Sequence, residues 1–254
     1  MMDRVYRTMR PSSLAFILWV LMSCGGASAP EEQAFLFPVA LDTTYGELPY
    51  RNEKWLGWSS YYPLYLGPRR DTIYADPWLK YSQGKPNPRS GKGESIAAQG
   101  CFVDWMDERD FRSPDSSSIA VYVDTTRIIA NEGDNFDQPE PAFKAFPVFL
   151  VNQGPDTLYV GYGKFLNMIM EARTETGEWR PIEEPFIYMC GNGVGTIVLP
   201  PGFIALTSAP VYQGDLPTEC RIKFGLVTSS RFYASIDRHQ FESKFDENGN
   251  YKEE

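Results

Sequence analysis

Apolar and polar positions from residue 143 onward fall into short stretches with a period of two. That period places successive side chains on opposite faces of a strand. Residues 146–151 (FPVFLV) are an unbroken apolar run of strand length, and the turn cluster 152–156 separates them from a second strand at 157–160. Leu166, Met168, Met170 and Ala172 share one face of a third, with Asn167, Glu171 and Arg173 opposite. Residues 174–178 turn the chain and 179–183 return it. Residues 196–199 lead into Pro200-Pro201-Gly202, where proline then glycine suits the centre of a type II turn, and a strand at 203–208 comes next. Cys220, Ile222, Phe224 and Leu226 alternate with Arg221, Lys223 and Gly225, and Phe232, Ala234 and Ile236 repeat the pattern. Short strands with turn signals about every 8–12 residues predict a mainly β, antiparallel β-sandwich domain over 143–241.

Upstream the periodicity is weaker. Ile119, Val121 and Val123 alternate with Ala120, Tyr122 and Asp124 as one more strand, and 102–111 (FVDWMDERDF) reads as a short helix. An aromatic run at 55–66 (WLGWSSYYPLYL) and a polar Pro- and Gly-rich loop at 84–93 belong to the same irregular, aromatic-rich region, 35–130. It packs on the sandwich or extends it. The acidic, proline-broken stretch 131–142 marks a linker or loop, and 242–254 is a charged tail.

At the N-terminus, Arg4, Arg7 and Arg10 precede nine consecutive apolar residues, 14–22 (LAFILWVLM). At roughly 1.5 Å per helical residue this run is too short for a bilayer core of about 30 Å. It has the length of a signal-peptide apolar segment. Leu21, Met22, Ser23 and Cys24 then resemble the bacterial lipobox. By that resemblance residues 1–23 are a signal peptide, Cys24 becomes a lipidated N-terminus, and 24–34 is a flexible tether. The protein would sit in the cell envelope as an outer-membrane lipoprotein, facing periplasm or surface, with its anchor as the only membrane contact. Ala27-Ser28-Ala29 offers an alternative, since cleavage after Ala29 releases a soluble secreted chain beginning at Pro30.

The chain carries 24 basic and 33 acidic residues, and loss of 1–23 leaves 21 against 32, a net charge of −11. Such a surface repels phosphate backbones and gives anionic lipids no attraction, which argues against nucleic-acid binding. An aromatic content of 15%, with 20 prolines and 21 glycines, favours a β protein rich in turns. With Cys24 lipidated, Cys101, Cys190 and Cys220 remain. An exported compartment permits disulfides, and three cysteines allow one bridge. Cys190–Cys220 is favoured because both lie in 143–241. A metal site fails on count, with no C-x-x-C pair and His239 the sole histidine, and no cofactor is expected.

Residues 146–241 are similar to a family of uncharacterised exported proteins of Bacteroidota. The likeness is carried by VNQGPDTLYVGYG (151–163), EARTETGEWRPIE (171–183), Cys190-Gly191, LPPG (199–202) and YQGDLPTECRIKFG (212–225). More loosely, the V-N-x-G strand end, the P-G turn and the G-D-x-x-T strand start resemble immunoglobulin-like β-sandwiches. The resemblance implies a fold and a compartment, with a binding or spacer role, and brings no catalytic residues.

Chemistry-bearing patterns are few. Around Gly91-Lys92 the preceding glycine is two residues too distant for a phosphate loop, and Gly93 replaces the Ser or Thr. Asp246, Asn248 and Asn250 have the spacing of calcium-loop oxygens, but Gly249 falls at position 4 rather than 6. Asp134, Asp137 and Glu140 read as solvated linker acids. G-x-S-x-G is absent, and His239 reads as a surface residue rather than a base. Asp104 and Glu108 would share a helix face at i, i+4, whereas sugar-cleaving carboxyls flank their substrate, usually from different elements. Trp55, Trp58, Tyr61 and Tyr62 either stack on a sugar or anchor a protein partner, or they pack as core. The expected function is a non-catalytic envelope accessory protein that binds a protein partner. A glycan-binding lipoprotein and a carboxylate-dependent hydrolase are the alternatives. Lipidation at Cys24 predicts fractionation with envelope membranes and an acylated N-terminal peptide by mass spectrometry. Cys24→Ala should release the protein, whereas a wild-type N-terminus at Pro30 would establish secretion instead.

Overall fold

The computed structural model describes residues 35–42, 46–77, 79, 100–103, 114–131, 141–186 and 195–245. Two units separate, Met1–Leu36 and Phe37–Glu254, and the strands among the described residues belong to the second. In chain order these begin with β1 (Val39–Leu41), β2 (Gly57–Trp58), β3 (Tyr65–Pro68), β4 (Thr72–Tyr74), β5 (Phe102–Val103) and β6 (Ile119–Val123). Next are β7 (Ile129–Asn131), β8 (Phe143–Asn152), β9 (Leu158–Tyr162), β10 (Phe165–Leu166), β11 (Met168–Arg173) and β12 (Trp179–Pro181). The last are β13 (Glu183–Glu184), β14 (Thr196–Leu199), β15 (Phe203–Pro210), β16 (Leu216–Phe224), β17 (Val227–Thr228) and β18 (Phe232–Ile236), before a 3-10 helix, Arg238–Phe241.

The fold is mainly β, with its core between antiparallel sheets. One runs β3-β15-β8-β6, with β7 also on β8. A second runs β12-β11-β16-β17, with β18 also on β16, and a third runs β10-β9-β14-β5. Their apolar faces meet in one core: Val121, Val148 and Leu150 from the first, Met168, Met170 and Ile222 from the second, Leu158, Val160 and Ile197 from the third. Two parallel pairs, β1–β4 and β13–β2, complete the ladder.

β8 is buried at six consecutive positions, Pro147–Asn152, so the central sheet is covered on both faces. That is why 146–151 reads as a continuous apolar run rather than an alternation. Phe149 points away from the shared core and meets the Phe37 ring at 5.8 Å. The first region is therefore woven into the sheet: β3 pairs with β15 and β6 with β8, in the registers Tyr65↔Leu206 and Val121↔Leu150. Asn131, expected in a linker, belongs to β7 and donates from Nδ2 to Ser208 Oγ at 2.9 Å.

Turn chemistry accounts for the strand ends. Asn152 is buried, donates to the carbonyls of Asp156 and Leu199, both at 2.7 Å, and accepts from Gly154 N–H. It thereby ties the end of β8 to the end of β14. Gly202, at φ 72°, sits in a turn closed by Phe203 N–H to the Pro200 carbonyl. Two expectations are corrected. Leu226 does not continue its strand, because Gly225 takes φ 56° and the pair forms a two-residue hairpin turn that leaves Leu226 exposed. Phe102 and Val103 pair with β14 as a strand rather than opening a helix, since β14 offers a free edge. The rest of that segment, with Asp104 and Glu108, lies outside the described residues, as do Cys24, the 84–93 loop, Asp134, Asp137, Glu140, Cys190 and 246–254.

A Cβ added to Gly161 would collide with the Phe165 carbonyl oxygen across the β9–β10 hairpin. Gly161→Ala should therefore lower stability by about 2–3 kcal/mol, read as a lower urea midpoint. An unchanged midpoint would contradict this register.

Candidate functional site

The site is built around the point where β12 ends and β13 begins. β13 pairs in parallel with β2, Glu183 opposite Gly57 and Glu184 opposite Trp58, and Ser59 N–H donates to the Glu184 carbonyl at 2.7 Å. The strand break at Ile182 turns Glu183 inward, where it is 2% exposed. One carboxylate oxygen accepts from Met170 N–H at 2.8 Å and the other from the Tyr212 hydroxyl at 2.9 Å. Burial raises the Glu183 carboxyl above its usual range, although these hydrogen bonds and the Arg51 charge pull the other way. Arg51 donates from Nε and Nη2 to Glu53 at 3.1 and 3.0 Å, and its guanidinium lies 4.9 Å from the Phe143 ring centroid. The Tyr61 hydroxyl is buried beside the network without a hydrogen-bond partner. Burial first, then the Glu183 charge, pushes the ionisation of Tyr61 well up. The network holds β13 against β11 and the chain at Tyr212. Its residues do not line the neighbouring cleft, so its role is positional.

The element it positions is the segment Pro185-Phe186, which follows β13. Phe186 stacks on Phe165 with ring centroids 4.0 Å apart and planes at 18°. The Tyr162 hydroxyl donates to the Phe186 carbonyl at 2.6 Å, and Phe186 N–H donates to Ser59 Oγ at 3.3 Å. Together with Met168 and Lys223, these groups line a cleft of about 410 Å³. Trp58, 43% exposed, meets Phe186 edge-on at 6.3 Å. The lining offers ring stacking and apolar burial, together with Asn167 and Lys223, whose ammonium pairs with Glu171 at 3.2 Å.

The structure separates the four aromatics singled out in the sequence. Tyr61 and Tyr62, 1% and 4% exposed, are core residues closed to any sugar ring. Trp55 is half-buried, edge-on to His239 at 5.2 Å. Of the four, Trp58 alone presents its ring beside the cleft. His239 belongs to the 3-10 helix, with Nδ1 2.8 Å from Asp237. The expected Cys190–Cys220 bridge is not formed: Cys220 is a free, buried thiol on the inner face of β16, opposite Ala172. Burial pushes it up to about 12, as it does the free thiol of Cys101. Sequence reasoning missed Phe165, Phe186, Glu183 and Tyr212. A period-two reading of 179–183 places Glu183 outward with Trp179, and only the break at Ile182 reverses it.

Among the described residues no helix is long and apolar enough to cross a membrane, and no group of His, Cys, Asp or Glu could hold a metal ion. No protein family, curated protein or solved structure matches the chain.

Because burial raises Glu183, the folded chain holds that proton more readily than the unfolded chain. Its contribution to stability is fullest below the ordinary glutamate value of about 4.3 and is lost as pH rises through the raised folded value. Glu183→Gln removes this titration. Urea unfolding of both proteins at pH 5 and pH 8 should show wild type gaining on the variant at the lower pH. A difference independent of pH would mean the carboxyl is not shifted.

Proposed function

We propose that the protein is a non-catalytic lipoprotein, anchored in the envelope through Cys24, that binds a protein partner at the Phe165–Phe186 cleft. The carrying observation is that cleft, walled by two stacked rings and flanked by an exposed tryptophan. Aromatic side chains in partly desolvated pockets dominate binding energy at protein interfaces. Attachment is supported by the resemblance of Leu21–Cys24 to a lipobox in the sequence. The resemblance of 146–241 to exported proteins of Bacteroidota favours the same compartment. A glycan ligand is the second reading, favoured by Trp58, whose ring is exposed enough to stack on a sugar.

Mild cross-linking of intact envelopes, then capture of the tagged protein and peptide mass spectrometry, tests the first reading. A specific partner should be recovered with wild type and fall about ten-fold or more with Phe186→Ala. Equal recovery with the variant would remove the cleft from the account. Retention on a glycan array that Trp58→Ala abolishes would decide for the second reading.

A further inference from the structure

We infer that β18 is an interface between two copies of this chain: the two strands pair antiparallel about a two-fold axis at Ala234, with Arg231 of each copy opposite Asp237 of the other. The interface is independent of the cleft.

Backbone bonding leaves this edge open. Pro217 faces Ser235 across the β16–β18 ladder and has no N–H to give. The bonded positions of β16 on that side are therefore the even-numbered ones. Ile222 has the same parity: its N–H donates to Ser229 Oγ at 3.0 Å and its carbonyl accepts from Ser229 N–H at 2.8 Å. Phe232, Ala234 and Ile236 thus bond to Cys220, Thr218 and Leu216, whereas the N–H and C=O groups of Tyr233 and Ser235 point away from β16. Among the described residues β16 is the sole strand partner of β18.

The two edges of this sheet are treated differently. β12, at the far edge, is three residues long and ends on Pro181, which cannot donate. Shortness and proline are the means by which proteins keep an edge single. β18 has five residues, with neither proline nor charge from Phe232 to Ile236. Phe232 and Ile236 belong to the core, while Tyr233 is 78% exposed. Such an edge is a template for a further strand.

The sequence of β18 selects a second copy as that strand. Pairing centred on Ala234 sets Tyr233 opposite Ser235, so that the outward N–H and C=O groups of one copy meet those of the other. It runs from 231 to 237, a longer overlap than pairing centred on Tyr233 or on Ser235. Phe232 then lies opposite Ile236 of the second copy on the core face. At each end Arg231 meets Asp237. The Arg231 side chain is largely exposed and lies 3.6 Å from Glu219, and Asp237 engages His239 through Oδ1, so Oδ2 is the oxygen that takes the guanidinium. Parallel pairing sets Arg231 beside Arg231 and Asp237 beside Asp237, and like charges side by side are repulsive.

The full chain carrying Cys24→Ala, which removes the lipid as a cause of association, is examined by sedimentation velocity in mild detergent. A monomer–dimer equilibrium should appear between about 1 and 100 µM. Ser235→Pro removes an N–H that β16 does not use, so it should shift the equilibrium to monomer. Arg231→Glu, which leaves the backbone untouched, should weaken the dimer about ten-fold. Disulfide trapping reads the register. Ala234→Cys should cross-link the copies under mild oxidation, because directly opposed residues outside the hydrogen-bonded pairs have Cα atoms about 4.5 Å apart. Ser235→Cys should not, since its twin lies on the diagonal at about 7–8 Å. The parent chain controls for Cys101, Cys190 and Cys220. A chain that stays monomeric throughout, a dimer indifferent to Ser235→Pro and Arg231→Glu, or trapping through Ser235→Cys rather than Ala234→Cys, overturns this pairing. If the chain is monomeric and Ser235→Pro instead abolishes capture of another envelope protein, a foreign strand occupies the edge and the second copy is ruled out. Phe186→Ala should leave the dimer unchanged, so failure of the cleft reading and failure of this interface are told apart.

Discussion

The β8–β15 pair sets the terms for the rest of the molecule. Seven registered positions join it, from Ile204↔Val151 to Pro210↔Ala145, and apolar side chains leave it on both faces. Neither face tolerates water, so a single opposing layer cannot satisfy it. The two other antiparallel sheets cover the side that carries Val148 and Leu150. Phe37 reaches the Phe149 side, while β3, β6 and β7 extend the same sheet. Division into an N-terminal region and a sandwich therefore has no counterpart in the ladder.

A second constraint fixes the cleft. β12 pairs with β11 only at Glu171–Arg173, which leaves the Met170 N–H in the core beyond the end of the partner strand. An unpaired buried amide is costly. Glu183 takes the place of the missing strand by offering a carboxylate oxygen, while Ile182 N–H pairs with the Met170 carbonyl. A carboxylate is an expensive substitute for a carbonyl, because it must itself be solvated by the protein. Tyr212 supplies a second donor, and Arg51 supplies charge. The effect of these bonds is geometric: β13 is locked beside β2, and Phe186 is delivered to Phe165.

Much of the fold was legible because burial on one face writes a period of two into the chain. β6, β11, β14 and β18 lie where alternation or a short apolar run predicts them. Leu226 misled because periodicity ignores backbone handedness, and Gly225 ends the strand by leaving the right-handed region. The site was far less legible. Its wall gathers Ser59, Tyr162, Phe165, Phe186 and Lys223 from segments that are distant in sequence, and their meeting depends on sheet order, which no local pattern encodes. Trp58 could be noticed as an aromatic, but not distinguished from Tyr61, because exposure is decided by the partner strand β13 rather than by residue type.

The buried thiols of Cys101 and Cys220 carry a consequence for the setting in which such a protein can work. Nucleophilic attack and oxidation proceed through the thiolate, and both side chains are fully enclosed with ionisation pushed up to about 12. They pack as small apolar groups, closed off from solvent. Once folded, the chain is held at these two positions by packing, and that packing is indifferent to whether the surroundings are oxidising or reducing.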